Sequence, residues 1–275
     1  MRKIIALILI FVMASTSFSW AVDYNATTNY LNKQSLDQWG ILALYSAGES
    51  VKGKTLPKVD CSNATTDYEA YILGGIPLKR DVSNEVSKII KAQRNDGKFA
   101  DRIDGEGTDL VNAHIWGVIS LYGVGEENYD KAKALHWLKA HQNKDGGFPV
   151  FTGMQDSDMD LTAMALIAYS ILGLDEKAEE VKKAIQFIEK NLDKKESCET
   201  IAYYILARIK LGLTVDKKLY NKLIAYQLKD GSFRHWKKSS KGNYMATWHA
   251  LLALVDYAYQ SSIFTRLYER HEVKT

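Results

Sequence analysis

Two kinds of stretch alternate along this chain. The first kind is apolar nearly all round: Asp109-Leu110-Val111-Asn112-Ala113-His114-Ile115-Trp116, Asp160-Leu161-Thr162-Ala163-Met164-Ala165-Leu166, Ser197-Cys198-Glu199-Thr200-Ile201-Ala202-Tyr203-Tyr204 and Asn243-Tyr244-Met245-Ala246-Thr247-Trp248-His249-Ala250-Leu251. Two less regular copies lie upstream, at residues 37–44 and 67–73. Stretches without a polar face predict buried helices. The second kind, at residues 86–92, 132–141, 176–190 and 218–226, carries its charges on one side and predicts amphipathic outer helices. The buried stretches recur roughly every 30 to 50 residues, the period of helical-hairpin repeats. Strand signals are scarce. The expectation is an all-α chain of about six helical hairpins, either stacked as a solenoid or closed as an α/α toroid, and that number of pairs suits a closed ring. Residues 101–107 and 237–242 are polar loops, so residues 22–275 read as one domain.

A motif marks the ends of the outer helices. Gln93-Arg94-Asn95-Asp96-Gly97-Lys98-Phe99 returns as Gln142-Asn143-Lys144-Asp145-Gly146-Gly147-Phe148 and as Gln227-Leu228-Lys229-Asp230-Gly231-Ser232-Phe233. Asp-Gly predicts a tight turn, because glycine accepts a positive φ. The aromatic is expected to pack back under the turn, and the Gln amide to cap the helix before it.

Arg2 and Lys3 followed by eleven apolar residues, 4–14, and then by Ser19-Trp20-Ala21 predict a secretory signal peptide over residues 1–21, cleaved near Ala21. The apolar run is shorter than the ~20 residues of a membrane span. The mature chain is therefore expected outside the cytosol, secreted or at the cell surface or periplasm, with no stable membrane span. Export permits a disulfide between Cys61 and Cys198 and equally permits two free thiols. Asn25 and Asn63 head glycosylation sequons, which are discounted because the signal segment looks bacterial. Lys and Arg number 36 against 33 Asp and Glu, a net charge of +3, and that balance argues against a nucleic-acid binder.

Q-x-x-D-G-x-F after an amphipathic helix resembles the Gln-Trp repeats of the squalene cyclase and protein prenyltransferase superfamily. The stretch Asp158-Met159-Asp160-Leu161-Thr162-Ala163 resembles the place where squalene-hopene cyclases carry D-x-D-D-T-A. The resemblance spans residues 39–257, and it includes the small exported bacterial proteins with prenyltransferase-like repeats, which are similar to the α-domain of cobalamin carriers. It implies an α6/α6 toroid with a central cavity. Such a fold hosts enzymes and non-enzymes alike. Leu161 stands where the cyclases have a second adjacent carboxylate, and Ala246 where prenyltransferases place a zinc-binding His. No metal or other cofactor is expected.

Asp158 and Asp160 are the candidate acids. A carboxylic acid in an apolar pocket can protonate an alkene, but an Asp at a helix start also serves as a cap. Thr66/Asp67, Thr108/Asp109, Ser197 and Asn243 stand at comparable starts and favour the capping reading. Asp156-Ser157-Asp158-Met159-Asp160 looks like a calcium loop, yet Leu161 and Ile167 occupy the places of its Gly and Glu. Trp39, Tyr68, Tyr71, Trp116, Tyr203 and Trp248 are candidate pocket aromatics, with core filling as the alternative. His114 and His249 lie on inner stretches without an i, i+4 ligand partner, and Asp109 stands at the mouth. The functional expectation is an exported module holding an apolar or planar molecule, or a partner's segment, at the mouth built from the motif loops and inner-helix starts. A terpenoid cyclase with Asp160 as acid is the alternative. A further one is a saccharide-acting enzyme with carboxylates drawn from Asp104, Glu106, Asp109 and Asp160.

Overall fold

The computed structural model describes residues 22–194 and 196–272, and the signal peptide expected over residues 1–21 lies outside them. In chain order the helices are α1 (Tyr24–Asn32), α2 (Gln38–Ser46), α3 (Thr65–Gly75), α4 (Ser83–Lys91), α5 (Val111–Gly123), α6 (Lys131–Ala140), α7 (Met159–Ile171), α8 (Glu179–Asn191), α9 (Cys198–Lys210), α10 (Lys217–Ile224), α11 (Tyr244–Tyr259) and α12 (Ile263–Glu272). The described residues contain isolated β-bridges but no strand, and none of their helices is long and apolar enough to cross a membrane.

The six apolar stretches are α2, α3, α5, α7, α9 and α11. Each packs on the next, and α11 packs back on α2, so the chain closes as a ring rather than stacking as a solenoid. Outside, α4 lies on α3, α6 on α5, α8 on α7 and α10 on α9, while α1 fills the seam between α11 and α2. The arrangement is an all-α, single-domain α/α toroid, with twelve helices among the described residues.

Four inner helices begin on side-chain caps. Asp37, Asp158, Ser197 and Asn243 accept from the backbone N–H three residues on, at 2.9–3.0 Å, each worth about 1 kcal/mol. The capping expectation fails at Asp67 and Asp109. Asp67 accepts from the Ser62 hydroxyl instead. At α5 the carboxylate of Asp101 reaches over to accept from the N–H groups of Asp109 and Leu110.

The motif works as a ring clasp. In each copy the Asp side chain accepts from the N–H two residues on, and the Phe is fully buried. The Gln does not cap the helix before it. Gln93 bonds the Gly97 carbonyl and both backbone groups of Asp130, the residue that caps α6. Gln142 bonds the carbonyls of Gly146 and Glu180 at the start of α8. Gln227 bonds Asp23 and Thr27, at the start of α1. Each Gln therefore ties its turn to the next outer helix round the ring, and the third tie joins the C-terminal third of the chain to its first helix.

The last helix breaks the hairpin pattern. α12 packs on α5, and its side chains reach the C-terminal ends of several inner helices. Tyr268 stacks on Tyr122, Thr265 accepts from Lys210, Arg270 donates to Tyr45, and Arg266 pairs with Asp256. Helix α12 thus lies across one end of the ring and stops it.

Candidate functional site

The other end is the mouth, where the inner helices start. Counting from each N-cap, the residue two positions on is Trp39, Thr66, Asn112, Asp160, Glu199 or Met245. The residue six positions on is Ala43, Ala70, Trp116, Met164, Tyr203 or His249. Ring contacts place Trp39 of the first tier, and Trp116, Tyr203 and His249 of the second, on the axis. Trp39 meets Trp116 at 4.7 Å, and Trp116 meets Tyr203 at 6.5 Å. Neither pair lies on adjacent inner helices, so both contacts cross the centre of the ring. Trp39 also stacks on Trp248 at 5.4 Å, Tyr203 meets His249 edge-on at 4.4 Å, and Phe264 of α12 touches Trp116 from below at 6.2 Å.

Five of the residues singled out from sequence thus converge: Trp39, Trp116, Tyr203, Trp248 and His249. The others do not. Tyr68 is buried between α3 and α4, its ring under Lys88 and its hydroxyl on the Ser62 carbonyl. Tyr71 is half-buried against the core. Asp109 is exposed on the loop before α5. His114 is fully buried behind the axis. Its Nδ1 accepts from the Phe99 N–H and its Nε2 faces the Ala134 carbonyl, and burial pushes its pKa down to about 3. Thr162 and Thr247 do the same for Phe148 and Phe233, so His114 is a structural member of the repeat. Cys61 is exposed, Cys198 is buried, and the two are unpaired.

Asp158 and Asp160 part company in the structure. Asp158 is the cap of α7. Asp160, two residues further, accepts from the Thr200 hydroxyl on α9. Burial pushes its carboxyl up to about 6, with Asp158 and Glu199 adding to the rise while Thr200 and His235 oppose it. The folded chain then binds this proton more tightly than the unfolded chain between about pH 4 and 6, so stability falls as pH rises through that window. Asp160→Asn is expected to remove up to about 3 kcal/mol of that fall. Urea melts of both proteins at about pH 4 and pH 7.5 check this; parallel shifts in the two would contradict it.

Asp160 also borders a lateral cleft of about 660 Å³ between the second and third motif loops. Phe187, Asn191 and Lys194 line it, with His235 and the exposed Trp236. His235 Nδ1 lies 2.7 Å from Glu199 Oε2. Sequence reading missed this pair; the available signal was its place directly after the third motif. Asp104, Glu106 and Asp109 lie on the 101–110 loop, where Asp104 accepts from Asn63 and from the Glu106 N–H. None of the three lines the cleft beside Asp160. Among the described residues no group of three His, Cys, Asp or Glu is placed to hold a metal.

Two family models match the chain. Residues 82–210 match the squalene-hopene cyclase N-terminal domain, and residues 194–272 match the prenyltransferase alpha-alpha toroid domain. No curated protein matches it.

Proposed function

We infer, for a chain that belongs to the terpenoid cyclase and prenyltransferase-like toroid superfamily, that this toroid is an exported binding module. It holds a small apolar or planar molecule, or a segment of a partner, on the axis below the mouth. One observation carries the reading: aromatic side chains from four inner helices meet on the axis at the open end, while α12 stops the other end. In the lower tier Ala70, Trp116, Met164 and Tyr203 keep 6–8% of their surface exposed, His249 3% and Ala43 none, whereas Ile115, Ala163 and Ala202, one position back from three of them, keep none.

Titration with a planar hydrophobic dye tests this. Saturable quenching of tryptophan emission is expected in the wild type, lost in Trp116→Ala at unchanged circular dichroism. Quenching that survives the substitution would move the site elsewhere.

A second reading, a terpenoid cyclase, is favoured by the Asp160 carboxyl, which still holds its proton near pH 6 beside the aromatic cluster. Its O–H would give its proton to an alkene and leave the carboxylate, ring faces would stabilise the carbocation formed, and loss of a proton from the cyclised cation, returned to the carboxylate through solvent, would close the cycle. Incubation with squalene and with geranylgeranyl diphosphate decides: a cyclic product lost in Asp160→Asn would make the protein an enzyme.

A further inference from the structure

The axial well carries polar atoms that its own fold does not use. His249 is buried, and its Nδ1–H donates to the Met245 carbonyl at 2.9 Å. Burial pushes the ring's pKa down to about 3, so it is neutral and Nε2 presents a bare lone pair. No hydrogen-bond partner meets that nitrogen. The same is true of the buried Oδ1 of Asn112, in the upper tier on α5. Two carboxyls act on Tyr203, whose ring meets that of His249, and the bonds shown hold one oxygen of each, Asp160 on Thr200 and Glu199 on His235. These four groups share one chemistry: each offers an acceptor. No position of either tier is Lys or Arg; the lysine that lines the cleft beside Asp160 is Lys194 of the loop after α8.

We propose that the axial well takes an organic ammonium ion, a protonated amine carried on a flat or apolar body. The proposal rests on the reading of the well as a ligand site and names its ligand class. An ammonium group brings N–H donors and no acceptor, which is the complement of the wall. Its charge is attracted by the faces of Trp39, Trp116 and Trp248 and balanced by Asp160 and Glu199. A hydrocarbon would leave the Asn112 and His249 acceptors unmet in a dry site, and burying an unpaired polar atom is costly. A polyol would bring acceptors of its own to a wall already full of them.

A cation in the well also changes the titration of Asp160. The groups facing that carboxyl are Asp158 at its own helix start, Glu199, Thr200 and Tyr203 of α9, and His235 of the following loop. An arriving ammonium favours the ionised carboxylate, so binding releases a proton wherever Asp160 is protonated. Affinity for an amine should therefore weaken as pH falls through about 6.

Isothermal titration of the purified protein with phenethylamine and with 2-phenylethanol, its uncharged counterpart of the same shape, tests the proposal. At about pH 7.5 the amine is expected to bind about ten-fold more tightly than the alcohol, and to lose several-fold at about pH 5 although it stays protonated. Asp160→Asn and His249→Phe should each weaken the amine about five-fold and leave the alcohol within about two-fold. Equal affinities, or a tighter alcohol, would overturn the ammonium inference and leave the binding reading standing. Binding of neither compound would count against both. If a variant does not fold, the pair of ligands on the wild type decides alone.

Discussion

Gly231→Ala is expected to destabilise the protein by about 3–4 kcal/mol, near the upper end of what a single added methyl does. Two independent costs meet at this residue. Its φ is +86°, a conformation that an L side chain adopts only with strain. A Cβ would also fall inside the van der Waals shell of the Ala26 carbonyl in the first turn of α1. That obstacle is backbone and cannot rotate away. To make room, α1 would have to lift from the turn, giving up the Thr27 bond to the Gly231 carbonyl at 2.8 Å and the ties of Gln227 to Asp23 and Thr27. Gly53 isolates the first cost. Its φ is +82°, and a Cβ there meets nothing within 4 Å, so Gly53→Ala should cost only about 1 kcal/mol. Urea midpoints of the two variants give the comparison. Similar losses would mean that the clasp contributes little and that backbone strain alone is at work.

The same clasp explains what could be read from sequence and what could not. Asp-Gly announced the turn and the buried Phe announced its packing, because both partners lie within a few residues. The Gln was misassigned, because its partners arrive 37, 38 and 204 residues away in the chain. A local pattern holds no trace of them. The six inner helices were legible because a helix with no polar face has only one place to go. Helix α12 was not: its mixture of apolar and charged residues resembles an outer helix, yet it crosses the end of the ring. On the axis, the choice of aromatics was partly legible. Trp116, Tyr203 and His249 share one register from their caps, and that register could have been counted. His114 stands two positions short of it, in the register of Thr162 and Thr247, which is why it supports the motif Phe instead of facing the well. The pairing of Asp160 with Thr200, and of His235 with Glu199, depends on the placing of α7 beside α9 and of a loop above them, and no spacing in the chain encodes either distance.

Arg266→Met is the second large effect, expected at about 3–5 kcal/mol. Asp256 is fully buried near the end of α11. Its Oδ1 lies 3.0 Å from the Arg266 guanidinium of α12, and its Oδ2 accepts from the Ile263 N–H at 2.9 Å. Burial already pushes this carboxyl up to about 7, against the pull of the arginine. Without Arg266 the charge would stand in the core with one backbone donor, and the carboxyl would hold its proton to still higher pH. The native state would then bind that proton more tightly than the unfolded chain, so the loss should grow as pH rises and shrink in acid. Asp256→Asn combined with Arg266→Met removes the charge together with its partner and should recover much of the loss at about pH 8. Denaturation of the single and double variants at about pH 5 and pH 8 tests this, and a single variant no weaker than the double at the higher pH would refute it. The consequence reaches the well. Phe264 stands two residues before Arg266 and meets Trp116 from below. An α12 that no longer docks takes that ring away, and the axis then opens at both ends. On the binding reading proposed above, ligand affinity should fall in Arg266→Met even though no residue of the mouth has changed, because Phe264 no longer backs Trp116.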